Sequence, residues 1–231
     1  MNISKIVELF INVDRTISKS KLPNGFRQLK KEIFSDGKVV IKFTNYKRNK
    51  GIDDYAYLNE AIWLDRLQKF EFVPKFYGQE KRDNNIYLVM ENIKGSSLEN
   101  LSFKEWFFLK KNINIFENIL KDILQAFKKE KLIHRDIRPH NIILFNQENK
   151  LKVKIIDFQY MISVYEDLNV PKKSLEHYQK VKENIGDIWR NKEIELNSFE
   201  NDEFAVNKIV EDIKKENIIK FIIKKIKGYL K

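Results

Sequence analysis

The amino-acid sequence predicts an α+β protein of two lobes, a small antiparallel-sheet lobe over residues 1–93 and a reduced helical lobe over residues 94–231. Short β-rich runs separated by turn residues dominate the first part of the chain, whereas stretches with helical apolar spacing dominate the second. The chain has 231 residues, 42% of them hydrophobic, which suffices for one ordinary domain or two closely packed lobes with a sizeable core.

The composition excludes several classes of protein. The chain contains no cysteine, which rules out a disulfide framework and thiolate metal sites and suits a reducing cytoplasm. The first residues lack the apolar segment of a signal peptide, and no run approaches the roughly 20 apolar residues that a spanning helix needs. The formal charge of +11 favours anionic partners such as a nucleotide, a nucleic acid or an acidic membrane surface, although abundant Lys, Asn and Ile also fit a nucleotide-biased genome.

The first lobe is predicted to begin as an antiparallel sheet. Residues 3–10 fit a short helix or strand, and a turn signal at residues 22–26 precedes a strand-like run over residues 27–34. The tripeptide Ser35-Asp36-Gly37 is typical of a hairpin turn, and it leads into the β-rich run Lys38–Phe43. We expect five strands in the complete sheet.

A helix and a last strand are predicted to complete this lobe. Apolar residues recur at near-helical spacing over residues 55–70, and Asp53 or Asp54 can cap that helix. Residues 86–98 combine an apolar strand with a polar turn. They are expected to end the lobe and to connect it to the next.

Helices are predicted to dominate the second lobe. Residues 102–129 carry one apolar stripe, typical of a core helix, and it consists of Phe116, Ile119, Leu120, Ile123 and Phe127. Residues 217–231 fit a helix with isoleucines on one side and lysines on the other. This pattern is typical of a helix lying on an anionic membrane surface. A terminal helix packed on the lobe, with a solvated lysine face, is at least as good an explanation.

The candidate functional residues centre on the stretch Leu132–Leu144. Asp136 and Asn141 stand five residues apart in a polar loop between two apolar runs. Such a loop suits a site that holds a hydroxyl on one side and a metal-bound phosphate on the other. The triplet His134-Arg135-Asp136 with Asn141 resembles the catalytic loop of the protein-kinase-like superfamily, H-R-D-x-x-x-x-N.

The resemblance implies roles for the residues of this loop. Asp136 would accept the proton of the acceptor hydroxyl, and Asn141 would hold Mg²⁺. Arg138 stands where the family usually has a lysine, and it could donate to the transferring phosphoryl group. His134 is expected to be a buried scaffold residue rather than a general base.

Further motifs of the same superfamily lie on both sides of the loop, in the expected order. Asp157, after the β-rich run Val153–Ile156, stands where the family has its second metal-binding aspartate, although the family's following glycine is Gln159 here. Lys42 in its apolar strand resembles the lysine that binds the α- and β-phosphates of ATP, and Glu60 lies where the family has the glutamate that pairs with this lysine.

The resemblance also suggests where the nucleotide base binds. Backbone groups from Glu91 to Ile93 would contact the adenine edge, with Met90 at the rear of an ATP pocket between the lobes. The family's glycine-rich phosphate loop is absent, so a divergent loop over residues 18–25 is expected to cover the phosphates. ATP and Mg²⁺ are the expected cofactors.

The acceptor is predicted from the residues after Asp157. No A-P-E motif is present among them, so a full platform for protein substrates is expected to be truncated away. The segments 185–190 and 198–204 loosely resemble small bacterial kinases of lipopolysaccharide-core or surface-glycan sugars. The preferred expectation is therefore a cytoplasmic glycan kinase, which would associate peripherally with the inner membrane face if the helix over residues 217–231 lies on lipid.

Other functions stay open on the sequence alone. A small atypical Ser/Thr protein kinase is the first competitor. A nucleotide-binding pseudokinase is the second, supported by Gln159 and by the missing glycine-rich loop. A specific nucleic-acid-binding function rests on charge alone, because no RNA- or DNA-binding motif is present.

Overall fold

The computed structural model describes residues 2–11, 27–30, 33–44, 54–164, 188–191, 193–195 and 197–229. Contacts divide the chain into two compact units, Met1–Lys94 with Lys154–Gly186, and Gly95–Val153 with Asp187–Lys231. The lobe boundary between residues 93 and 94 stays a prediction. The turn signal at residues 22–26 and the capping residue Asp53 lie outside the described residues.

A five-stranded antiparallel sheet forms the centre of the first unit. Its strands lie in the order β1-β2-β3-β5-β4, where β1 is Arg27–Lys30, β2 Ile33–Ser35, β3 Val39–Phe43, β4 Phe76–Arg82 and β5 Asn85–Glu91. The antiparallel sheet is confirmed. The run over residues 27–34 is two paired strands rather than one, since two short strands in succession give the same β-rich run as a long one. Strand β4 was not anticipated, because its sequence is mostly polar.

The turn between β2 and β3 sets the register of the sheet. The Ser35 hydroxyl donates to the Val39 carbonyl (2.7 Å), and Oδ1 of Asp36 accepts from the Lys38 and Val39 amides. Gly37 has φ +90°, which its lack of a Cβ permits. The predicted hairpin is thus confirmed, and it places Lys42 opposite Ile33.

Alternation along β3 separates a core face from a functional face. Helix α1 (Ile3–Ile11) packs Val7 and Phe10 against one face of the sheet, in a cluster with Val39, Ile41, Phe43, Tyr87 and Val89. Because successive side chains of a strand point to opposite faces, Lys42 points away from this cluster.

Helix α2 (Asp54–Arg66) presents an unexpectedly polar buried side. Leu58 and Ile62, two of the apolar residues that recur along this helix, are 37% and 41% exposed, whereas Asn59 and Glu60 are buried. The helix is therefore oriented by polar contacts as well as by its apolar spacing.

The second unit combines helices with a small sheet. Its helices are α3 (Phe103–Lys111), α4 (Ile113–Lys129), α5 (Phe199–Lys215) and α6 (Ile218–Tyr229); strands β6 (Ser96–Ser97), β8 (Ile142–Gln147) and β9 (Lys150–Ile155) form a sheet, and β7 is Leu132–Ile133. The last two residues of β9 belong to the first unit, which also contains β10 (Ile162–Ser163). No helix in the described part of the chain has the length and apolarity that a bilayer crossing requires.

The predicted core helix over residues 102–129 is divided in two. Ser102 and Glu105 form a capping box at the start of α3. Helix α3 ends at Asn112, whose side chain donates to the Phe108 carbonyl, and α4 begins directly after it. Four of the five stripe residues are buried in α4, and Ile119 is half-buried. The stripe thus marks α4 as the helix against which α5 packs.

Candidate active site

The first group of candidate residues lies within the first unit and centres on Lys42. Its Nζ lies 2.6 Å from Oε2 of Glu60 and 2.9 Å from Oδ1 of Asp157. Strand β3 supplies the lysine and α2 supplies the glutamate, so the predicted pairing of Lys42 with Glu60 is present. Lys42 is 8% exposed and Glu60 2%, so both charges are largely removed from water.

Burial and pairing shift the pKa values of this group. Burial disfavours the charge of Lys42, but the carboxylates of Asp157 and Glu60 outweigh burial and raise its pKa. Burial also raises the pKa of Glu60, although the cation of Lys42 opposes that shift. Lys42 is therefore the firmly charged member, and Glu60 is the member that takes up a proton as the pH falls.

Helix α2 also holds the backbone that follows Asp157. Nδ2 of Asn59 donates to the carbonyls of Gln159 (2.8 Å) and Met161 (3.0 Å), and the indole N–H of Trp63 donates to the Met161 carbonyl (2.9 Å). We call Asn59 and Trp63 the α2 clamp. Asp157 itself has φ +69°, a left-handed conformation that costs an L-residue energy unless its surroundings hold it.

Gln159 explains how the chain manages without the family's glycine. Residues Phe158–Tyr160 form a single 3₁₀ turn, in which Gln159 does not have positive φ. The positive φ of this segment lies at Asp157, and the Gln159 carbonyl accepts a hydrogen bond from the α2 clamp. The backbone at residue 159 therefore does not require the conformational freedom of a glycine.

The second group lies within the second unit, in the loop between β7 and β8. Nδ2 of Asn141 donates to Oδ2 of Asp136 (2.8 Å) and to its carbonyl (2.9 Å), and Nη2 of Arg138 lies 3.0 Å from the same Oδ2. Pro139 begins the 3₁₀ turn Pro139–Asn141, which brings the asparagine back onto the aspartate. The Asp136 side chain is thereby held in one orientation.

Asp202 supports this loop from α5, and sequence reasoning missed its role. Its carboxylate accepts the backbone N–H groups of His134 (2.6 Å) and Arg135 (3.0 Å). Arg135 has φ +67°, so the two amides point to one acceptor through a strained backbone. Burial raises the pKa of Asp202 to about 7, although these two hydrogen bonds oppose the shift.

A sequence signal for Asp202 does exist, but it is incomplete. The residue stands in the first turn of a helix that Ser198 caps, where an aspartate is common for local reasons. Its burial, at 4% exposure, is what distinguishes it, and burial depends on a partner 68 residues away. His134 is fully buried, and its Nδ1 accepts the Asp136 amide (3.3 Å), as expected for a scaffold residue.

The proposed adenine-binding segment follows β5. Met90 is 8% exposed, and the Glu91 amide donates to the Lys75 carbonyl (2.8 Å), while the Asn92 amide donates to that of Lys38 (3.3 Å). The carboxylate of Glu91 pairs with Lys154 (2.6 Å). These contacts fix the end of strand β5. The loop over residues 18–25, expected to cover the phosphates, lies outside the described residues.

The residues present suit Mg²⁺. Asp157 offers carboxylate oxygens, and Asn141 offers an amide oxygen. Both hydrogen bonds from Asn141 to Asp136 use Nδ2, so neither of them occupies Oδ1 of Asn141. Mg²⁺ typically binds one or two protein side chains together with nucleotide phosphates, so an aspartate and an asparagine suffice as its protein ligands.

Comparison with known proteins supports the resemblance to protein kinases. A family model described as "Protein kinase domain" matches residues 28–178, more than half of the chain. The serine/threonine-protein kinase PrkC of Bacillus subtilis is 28% identical over 68% of this chain and 24% of its own length. Serine/threonine-protein kinase B of Synechocystis is 32% identical over 43% of this chain and 17% of its own length.

A calcium/calmodulin-dependent protein kinase type 1 of Macrobrachium nipponense is 28% identical over 63% of this chain and 43% of its own length. The chain thus spans less than half the length of each of these relatives. The family match covers β2, β3, α2, the Asp136 loop and Asp157. The chain therefore belongs to the protein kinase family, whose domain transfers the phosphoryl group of Mg²⁺-ATP to a hydroxyl group.

Proposed function

We propose that this chain is a protein kinase that phosphorylates Ser or Thr hydroxyls. The observation that carries catalysis is the buried arrangement of Lys42 with Glu60 and Asp157. A buried charge without a partner is costly, and even a paired one contributes little to stability compared with an apolar core. Such an arrangement is better explained by phosphoryl transfer than by a scaffold without turnover.

Each candidate residue receives a role in this proposal. Asp136 accepts the proton of the acceptor hydroxyl, and the donors Asn141 and Arg138 hold its orientation. Lys42, positioned by Glu60, binds the α- and β-phosphates. Mg²⁺-ATP supplies the phosphoryl group, and transfer then depends on positioning and on neutralisation of charge rather than on covalent catalysis.

The metal and base sites complete the assignment. Asn141 and Asp157 bind Mg²⁺ through oxygen atoms, and Arg138 donates to the transferring phosphoryl group. The Glu91 and Asn92 amides already donate hydrogen bonds within the first unit. The adenine edge is therefore bound by the Glu91 carbonyl and by the backbone of Ile93. Met90 closes the rear of the base site.

The relatives favour a protein acceptor over a glycan. All three are named as kinases, and two are named as serine/threonine kinases. The lipopolysaccharide or surface-glycan acceptor expected from segments 185–190 and 198–204 finds no support among them. In addition, residues 185–187 lie outside the described residues.

Phosphate transfer from labelled ATP to a generic protein substrate tests the proposal. The purified chain is assayed with Mg²⁺ on casein and on a core-sugar extract, beside Asp136→Asn, Asp157→Asn and the matched control Asp65→Asn. Asp65 is exposed on α2 and contributes nothing to the site. We expect phosphoserine or phosphothreonine from the wild type and the control, and a loss of at least about a hundredfold in the other two variants.

Each alternative has its own outcome. Transfer to the sugar extract alone would show a glycan kinase. Binding of Mg²⁺-ATP without transfer to any acceptor, including the chain itself, would favour the pseudokinase. Turnover near the wild-type rate in Asp136→Asn would exclude the assigned base.

A further inference from the structure

The described side chains of helix α6 pack on the rest of the second unit through Phe221. Phe221 is 4% exposed and stacks on the buried indole of Trp106, with ring centroids 4.9 Å apart. The Trp106 N–H donates to Oε2 of Glu216 (2.7 Å), and Nζ of Lys110 donates to carbonyls at the end of α5. These contacts fix where α6 begins and which side of it faces α3.

The rest of the described apolar surface of α6 faces solvent. Five isoleucines are between 39% and 64% exposed, namely Ile218, Ile219, Ile222, Ile223 and Ile226. Phe103 and Phe107 on α3 are each 46% exposed, and Phe103 lies 6.1 Å from Phe221. We call these five isoleucines the α6 face. Packing on the unit, one of the two explanations for this helix, therefore accounts for Phe221 and not for the isoleucines.

The charges beside the α6 face are positive. The helix sequence from Ile218 to Tyr229 contains four lysines and no acidic residue. Lys220 is exposed, and Nζ of Lys225 lies 5.6 Å from the Phe221 ring. The nearby carboxylates Glu105 and Glu216 are hydrogen-bonded to Ser102 and Trp106, within the unit.

This combination identifies one class of partner. A second copy of the chain would bring lysines against lysines, and like charges disfavour such a dimer. Nucleic acid would satisfy the lysines but not five exposed isoleucines. An anionic bilayer satisfies both, because isoleucines enter the boundary between headgroups and acyl chains while flanking lysines meet lipid phosphates.

We propose that the α6 face binds the surface of an anionic lipid bilayer. The helix lies in the plane of the interface, with the isoleucines inserted and the side of Phe221 turned to the protein. This inference does not depend on the proposed kinase activity. It adds a location to that activity, because a kinase held in this way meets membrane-associated acceptors at a raised local concentration.

Co-sedimentation of the full chain with vesicles tests the proposal. The vesicles are pure phosphatidylcholine, or phosphatidylcholine with phosphatidylglycerol. The variant Ile219→Ser/Ile223→Ser removes two exposed side chains of the α6 face, and the matched control Ile115→Ser/Ile188→Ser removes two isoleucines of similar exposure elsewhere. Lys220→Gln tests the charge, and the unfolding temperature of each variant confirms its fold.

We expect the wild type and the control to bind only the vesicles that contain phosphatidylglycerol, and binding to weaken as salt is added. The Ile219→Ser/Ile223→Ser variant should bind about tenfold or more weakly, and Lys220→Gln several-fold more weakly. Absence of wild-type binding, or equal binding by the two double variants, would overturn the proposal. Lipid-free self-association that Ile219→Ser/Ile223→Ser abolishes would also overturn it, and would assign the α6 face to a dimer.

Discussion

Asn59→Ala is predicted to reduce phosphoryl transfer by loosening the backbone that carries Asp157. Asn59 makes two of the three side-chain hydrogen bonds that α2 donates to the carbonyls of Gln159 and Met161. In Asn59→Ala, Met161 keeps the indole of Trp63 as its donor, whereas Gln159 loses the donor provided by Asn59. The substitution therefore removes one half of the α2 clamp.

The size of the effect can be worked out from these bonds. Leaving a buried carbonyl without its partner costs about 1–3 kcal/mol, and the lower end applies because Gln159 is only half-buried and water can reach it. The left-handed backbone of Asp157 stores roughly 1–2 kcal/mol of strain that these contacts resist. If the free energy that holds the segment after Asp157 on α2 falls by about 1–2 kcal/mol, the ratio of molecules with this segment held to molecules with it released falls by about five- to thirtyfold.

Steady-state kinetics with varied Mg²⁺ measure this effect. Because Asp157 is the proposed metal ligand, Asn59→Ala should lower kcat/KM about fivefold or more and raise the Mg²⁺ concentration needed for half-maximal rate. Trp63→Phe should do less, since Asn59 still donates to Met161. The double variant should lose more than the sum of the single losses, because only then is Met161 without either donor.

A matched control separates positioning from general instability. Leu58→Ala removes an exposed side chain from the neighbouring position of α2 and should leave the kinetics unchanged. If Asn59→Ala retains the wild-type Mg²⁺ dependence and kcat/KM, the α2 clamp does not position Asp157, whatever happens to the unfolding temperature.

Two further predictions concern pH. Lys42→Met should abolish transfer and lower the free energy of unfolding by about 3 kcal/mol near pH 8, because it leaves Glu60 buried without its cation. The pKa of Glu60 in the folded protein is already raised by burial, and it rises further without Lys42. The loss in free energy of unfolding should therefore shrink towards pH 5, as Glu60 takes up a proton. A loss that does not change with pH in urea-unfolding measurements would contradict this. Asp202, with its pKa raised from 3.8 to about 7, holds a proton that the unfolded chain releases, so it makes the free energy of unfolding fall as the pH rises from about 4 to about 7. Asp202→Asn should flatten that part of the stability profile, and an unchanged slope in the same measurement would show that another group produces it.

Local patterns in the sequence determined much of this protein. The Ser35-Asp36-Gly37 turn and the strand that carries Lys42 were readable because a hairpin and a strand are specified by neighbouring residues. The apolar cluster from which Lys42 points away includes residues of α1 and β5, so only the fold brought it together. The polar loop between two apolar runs likewise marked Asp136 and Asn141, because residues five apart can meet within one turn.

Only the tertiary structure decided which polar residues are buried and what they contact. Asp202 reaches the His134 amide across 68 residues, and Asn59 reaches the Gln159 carbonyl across 100. Contacts between residues so far apart do not appear in local periodicity. From the helix sequence alone, Asn59 resembles a residue that faces solvent, because its partners lie in the segment after Asp157. The same holds for α6, where one aromatic residue, Phe221, rather than the row of isoleucines, packs on the protein, because the indole of Trp106 supplies the surface that it fits.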